Sequence, residues 1–164
     1  INDISALGGD KNMAKTAADT GAGLILMHMR GTPKTMQKGD LIYDDLLGEI
    51  IDCLRKSIGK AMRAGVRKEC LIVDPGIGFG KTSEDNYKII RNLFTLKLLG
   101  LPVMLGTSRK AFIGNITGDR PGERLEGTAA SVAAAVMNGC NIVRVHDVAA
   151  MKKVIAVADS IIRA

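Results

Sequence analysis

The chain's 164 residues are 46% hydrophobic with a mean hydropathy of +0.13, the make-up of one ordered domain with room for a core. No apolar run reaches the roughly 18 residues of a membrane span, and no signal-peptide succession of basic, apolar and small residues opens the chain, which suits a cytoplasmic protein. The net charge of +6 is spread over scattered lysines and arginines, and few aromatic rings are available for base stacking, so a small anionic substrate fits it better than nucleic acid.

In chain order, Ile1-Asn-Asp-Ile4 reads as the end of a strand, with Gly8-Gly9 as a loop. A short helix is expected over residues 11–20, stopped by Gly21. A strand over 24–29 opens into a polar loop over 30–40 that holds the turn pair Thr32-Pro33. The long helix expected over 43–64 turns Leu47, Ile51, Leu54, Ile58 and Met62 to one apolar face and ends at Gly65. Cys53, Cys70 and Cys140 are far apart and lack metal-ligand spacing, so they read as buried thiols of a reducing compartment.

A strand over 71–74 ends in Asp74, and a loop follows with Gly76, Gly78 and Gly80 around Phe79, closing on Lys81. Such glycine density permits positive φ and close approach of a ligand to the main chain, with the aromatic exposed. Ser83 is expected to cap a helix with Glu84 and Asp85 in its first turn; Ile89, Ile90, Leu93 and Leu96 carry it to about Gly100. A strand over 102–105 leads to the loop Gly106-Thr-Ser-Arg-Lys110. A short amphipathic segment, a charged loop over 118–124 and an Ala-rich helix over 128–137 follow, ended by Gly139. The last strand, 142–146, precedes a helix whose expected buried stripe is Met151, Val154, Ile155, Ala158, Ile161 and Ile162.

Strand and helix alternate five times, which means parallel strands with helical crossovers. An open doubly wound sheet and part of a (β/α)8 barrel both satisfy this α/β pattern, and both bind ligands at the carboxyl ends of their strands. Asn2, His28, Asp74, residues 108–110, Arg144 and His146 all stand there. Arg144 and His146 are two apart on a strand and share a face, forming an anion clamp or, alternatively, an internal ion pair with Asp147. His28 shares a face with Leu24 and Leu26 and reads as a hydrogen-bonded structural residue more readily than as a catalyst. Asp74, acceptor-only when ionised, suits an amino-pyrimidine edge or else caps the glycine loop. The loop itself misses both nucleotide signatures. A Walker A motif would need glycine where Pro75 stands, and a dinucleotide loop would need it at Lys81. No cluster offers four metal ligands.

Taken together, these residues closely resemble dihydropteroate synthases. The match runs in the family's order through Asn2-Asp3, Leu26-Met-His-Met-Arg-Gly31 with Thr32-Pro33 and Met36-Gln37, Asp74-Pro-Gly-Ile-Gly-Phe-Gly-Lys81, Gly106-Thr-Ser-Arg-Lys110 and Arg144-Val-His-Asp147. The resemblance implies a (β/α)8 barrel that joins 7,8-dihydropterin-6-ylmethyl diphosphate to para-aminobenzoate, releasing pyrophosphate. Carried over by position, Asn2 and Asp74 hydrogen-bond the pterin, and Lys110 contacts it and orders the site. Ser108, Phe79 and the Lys110 stem line the para-aminobenzoate pocket that sulfonamides also occupy, with Gly106 on the same binding loop. Arg144 and His146 hold the diphosphate, so Asp74, Lys110, Arg144 and His146 carry the catalysis. The family mechanism is SN1-like, the diphosphate leaving before the aniline nitrogen adds. The family is usually homodimeric, and Mg2+ accompanies its diphosphate substrate.

Family members begin with about three further strand–helix units, bearing an Asn in an Asn-x-Thr-Pro-Asp-Ser-Phe segment, two mobile loops and a pterin-binding Asp. The chain therefore reads as a single, N-terminally incomplete pterin-binding domain, roughly the fourth to eighth βα units. Five strands cannot close an eight-stranded barrel, so the isolated piece is expected to be inactive and to hold no metal ligand of its own. Two alternatives compete: a pterin-binding corrinoid-dependent methyltransferase, against which a diphosphate clamp argues, and a non-catalytic pterin-binding fragment.

Overall fold

The computed structural model describes residues 1–36 and 41–164. Most of the end of the polar loop, and Gln37 of the family match, lie outside the described residues. Strands β1 (Asn2–Asp3), β2 (Leu24–Met27), β3 (Leu71–Asp74), β4 (Met104–Leu105) and β5 (Ile142–Val143) alternate with helices α1 (Met13–Thr20), α2 (Leu46–Arg63), α3 (Ser83–Arg91), α4 (Ala111–Thr117), α5 (Leu125–Met137) and α6 (Val148–Arg163). All pairings are parallel: β1 with β2, β2 with β3 and β4 with β5. A bridge from Val73 to Val103 joins the two sets. Spatial order thus follows chain order, whereas a doubly wound sheet reverses it at a switch point. Of the two architectures compatible with the alternation, the chain has successive units of a (β/α)8 barrel.

Side-chain parity divides the sheet into two faces. Leu24, Leu26, Leu71, Val73, Val103 and Leu105 are buried in one cluster with Ile50 and Leu54 of α2 and Ile89 of α3. Each such side chain is worth about 1.5–3 kcal/mol when fully buried. The alternate positions turn to the concave side, where the register sets Asn2 beside Ile25 and Met27 beside Asp74. His28 falls on the helix-facing parity, and its backbone N–H donates to the Asp74 carbonyl at 2.9 Å.

Several boundaries differ from expectation for identifiable reasons. β2 stops at Met27 instead of residue 29, and β5 stops at Val143 instead of 146. Arg144 N–H still donates to the Leu105 carbonyl at 2.9 Å, but His146 N–H turns to the Ser108 hydroxyl at 3.2 Å, so a side chain ends the ladder. α2 begins only at Leu46 because Asp45 caps it, accepting Gly48 N–H at 3.1 Å. Its buried face is Ile50, Ile51, Leu54, Ser57 and Ala61, leaving Met62 exposed. Thr82, not Ser83, caps α3, in a reciprocal box with Asp85. That helix ends at Arg91, and a 3-10 stretch, Leu93–Leu99, carries Leu93 and Leu96 into the core before Gly100 turns at φ 65°. α5 starts three residues early, and Ile161 and Ile162 of α6 are exposed instead of buried.

Candidate active site

A cavity of about 190 Å³ opens at the carboxyl ends of the strands. Asn2, Asp74, Phe79, Gly106, Ser108, Lys110, Arg144 and His146 line it, together with Ile4, Met27 and Val145. Every substrate-binding position expected from the sequence is therefore in one place. Met27 went unnoticed, although its parity with Ile25 marks it as concave-facing. Of the motif pair Asn2-Asp3, only Asn2 reaches the cavity. Asp3 is buried and accepts from Ser5 N–H (2.8 Å), Ser5 Oγ (2.6 Å) and Leu7 N–H (2.7 Å), which holds the positive-φ turn at Ala6 and Leu7.

Asp74 is only 5% exposed, and its Oδ1 accepts the Gly76 N–H at 2.7 Å. Burial pushes its carboxyl above the usual range, while Gly76 N–H, Lys110, Lys81 and Arg144 pull back toward ionisation. One oxygen braces the glycine loop, as the capping alternative expected, and the residue also borders the cavity. Lys110 donates to the Ile77 carbonyl, and its Nζ lies 4.8 Å from the Phe79 ring centroid. Burial lowers the Lys110 pKa to about 8, against the pull of Asp74. A second cavity of about 480 Å³ lies beyond, and Phe79 and Lys110 line both.

Ser108 Oγ stands 2.9 Å from His146 Nδ1 while accepting the His146 backbone N–H. If the hydroxyl proton goes to Nδ1, the neutral imidazole carries its own proton on Nε2, as a donor for an anion. Asp147 pairs with Arg109, at 2.7 and 3.1 Å, and not with Arg144 or His146. Arg144 makes no ion pair among the described residues, so the internal-ion-pair alternative falls and an exposed guanidinium borders the cavity.

The glycine loop owes its composition to its neighbour, not to a ligand alone. A Cβ on Gly76 would stand 1.9 Å from the His28 carbonyl oxygen, and one on Gly80 2.5 Å from that of Arg30. Lys81 turns inward and is 3% exposed, bonding His28 Nδ1 at 2.9 Å and the Phe79 carbonyl at 3.1 Å; Phe79 itself is half-buried. His28 is thus the structural residue its parity implied: burial, then Lys81 and Arg30, lower its pKa to about 3. Burial lowers the Lys81 pKa to about 7 despite Asp74. Because the unfolded lysine holds its proton to higher pH, the folded state binds fewer protons from about pH 7 upward, and stability rises with pH there. In urea unfolding, the wild-type advantage over Lys81→Met is expected to grow by about 2 kcal/mol between pH 6.5 and 9. An advantage that stays flat would show that Lys81 keeps its proton throughout.

Among the described residues no group of three or more His, Cys, Asp or Glu could hold a metal ion. The family model described as "Pterin binding enzyme" matches residues 1–146. A dihydropteroate synthase of Synechocystis sp. is 44% identical over 99% of this chain and 56% of its own length. That of Escherichia coli is 42% identical over 90% and 52%. Among solved structures, a Yersinia pestis dihydropteroate synthase with a sulfonamide drug complex superposes at TM-score 0.96 with 36% identity, covering 100% of this chain and 59% of that one. The Xanthomonas albilineans dihydropteroate synthase in complex with 7,8-dihydropteroate gives 0.88 at 36% identity, covering 98% and 58%. The chain thus spans about half the length of the curated relatives it matches. On this match, and with the fold and strand-end cavity in agreement, the chain belongs to the pterin binding enzyme family.

Proposed function

We propose that this chain forms the strand-end site of a dihydropteroate synthase, which condenses 7,8-dihydropterin-6-ylmethyl diphosphate with para-aminobenzoate. The observation that carries the reading is one buried carboxylate, Asp74, sharing a cavity with Lys110, Arg144 and His146. Asp74 and Asn2 take the hydrogen-bonding edge of the pterin. Arg144 and His146 hold the diphosphate, and stabilising the charge that gathers on it lowers the barrier to its departure. The carbon–oxygen bond breaks with its electron pair leaving on the diphosphate. The aniline nitrogen then adds to the methylene carbon and loses a proton. Phe79 and the Lys110 stem, shared by both cavities, border the aromatic second substrate. Ser108, its hydroxyl engaged with His146, serves the anion side at least as much as the para-aminobenzoate side. His28 is not needed as a base, since it is buried against Lys81.

The residues described do not fit a protein-held Mg2+: Asp74 is the cavity's one carboxylate among them, and its charged neighbours there are cations. Mg2+ would come with the diphosphate, and no step above runs through it. A homodimer and a cytoplasmic location belong to the same reading. Uncovered apolar side chains on the outer helices, such as Ile116, support the first, and three free cysteines the second. No helix among the described residues is long and apolar enough to cross a membrane.

Calorimetry tests the reading. Pyrophosphate is expected to tighten the binding of para-aminobenzoate or a sulfonamide at least tenfold, because the diphosphate completes the second substrate's site. Pterin binding that is indifferent to pyrophosphate, with no affinity for para-aminobenzoate, would instead favour the methyltransferase.

A further inference from the structure

Arg109 is one of the non-glycine residues at positive φ, at 59°. A side chain in this conformation is strained and persists only where its surroundings hold it. Here three tethers do so. Arg109 N–H donates to Oγ1 of Thr128 at 3.1 Å, and Thr128 is wholly buried. Arg124 Nη1 donates to the Arg109 carbonyl at 2.9 Å. The Arg109 guanidinium grips Asp147 with two hydrogen bonds, Nη2 to Oδ1 at 2.7 Å and Nε to Oδ2 at 3.1 Å.

The residues on either side of this kink go to different parts of the cavity. Ser108 reaches His146, and Lys110 reaches Ile77 and Phe79. Asp147 directly follows His146, so the two strand-end segments are joined by two adjacent rungs, Ser108–His146 inside and Arg109–Asp147 outside. We propose that Arg109 and Asp147 are positioning residues: their forked ion pair, closed across a strained backbone kink, sets the Ser108–His146 bond and so the direction of the imidazole that meets the anion. A planar fork fixes the relative orientation of two segments, which a single-point lysine contact does not.

The proposal rests on the proposed diphosphate site only for the identity of the ligand, and one readout is independent of it. The chain has two histidines, and His28 is buried and bonded to Lys81, so His146 can be followed alone by nitrogen-15 NMR of the imidazole. In the wild-type chain the His146 shifts are expected to report a single Nε2–H tautomer. In Arg109→Lys, Asp147→Asn and Arg109→Gly they are expected to move toward a tautomer mixture, with pyrophosphate binding about tenfold weaker by calorimetry. Arg109→Gly separates the clasp from the strain: it relieves the kink and should melt no lower than Arg109→Ala, yet lose the tautomer preference equally. The double exchange Arg109→Asp with Asp147→Arg should recover part of both signals. An unchanged His146 spectrum in folded Arg109→Lys and Asp147→Asn would overturn the positioning role. A wild-type chain with the ordered tautomer but no affinity for pyrophosphate would refute the diphosphate reading and leave the clasp standing.

Discussion

Gly76→Ala is expected to destabilise the chain by about 3–5 kcal/mol. Two costs add at this position. The backbone sits at φ 71°, and the new Cβ would lie 1.9 Å from the His28 carbonyl oxygen, with backbone and not a flexible side chain in the way. Two other glycines separate the costs. Gly118 has φ 79° and nothing within 4 Å, so its alanine variant should lose only about 1 kcal/mol. Gly122 has neither positive φ nor a close neighbour, and its variant should match wild type within about 0.5 kcal/mol. Urea denaturation of the three variants decides the matter, and equal losses at Gly76 and Gly118 would show that the loop yields to the clash.

The second large effect concerns binding. Arg144→Ala should weaken pyrophosphate by about 2–3 kcal/mol, roughly 50-fold, as expected for the loss of a charged hydrogen-bond donor to an anion. Binding of a pterin without phosphates should hardly change. The contrast follows from what surrounds each group. Arg144 is exposed and makes no ion pair among the described residues, so its removal breaks no salt bridge there, and Asp74 keeps its brace from Gly76 N–H. Equal losses for both ligands, measured by calorimetry, would sink the clamp.

Much of this site is legible in the sequence because strand parity is a local property. The two-residue spacing of Arg144 and His146 places both at the cavity, and the shared parity of His28 with Leu24 and Leu26 puts His28 on the helix side. Alternation of elements reveals parallel strands but not their spatial order, which depends on how the sheet winds and took the observed register to settle. What stayed hidden depends on contacts between segments distant in the chain. Asp147 could have paired with Arg144 or His146 beside it, and its choice of Arg109 follows from a backbone kink that no periodicity announces. Lys81 closes the glycine loop in the sequence, and His28, far earlier in the chain, draws it inward. The glycines themselves seemed made for a ligand, and their tightest constraint proved to be the carbonyls of residues 28 and 30.

The agreement of spatial with chain order has a consequence for how the cavity comes into being during synthesis. Each strand finds its neighbour already made, so the sheet can lengthen as the polypeptide emerges, and no strand waits for a partner translated later than its successor. The cavity does not share this gradual growth. Asn2 and Asp74 are placed once β3 has docked, but the anion-facing wall belongs to the last strand, and Ser108 has nothing to hold until His146 arrives. A nascent chain released before β5 could keep most of its sheet and yet offer a charged ligand no grip.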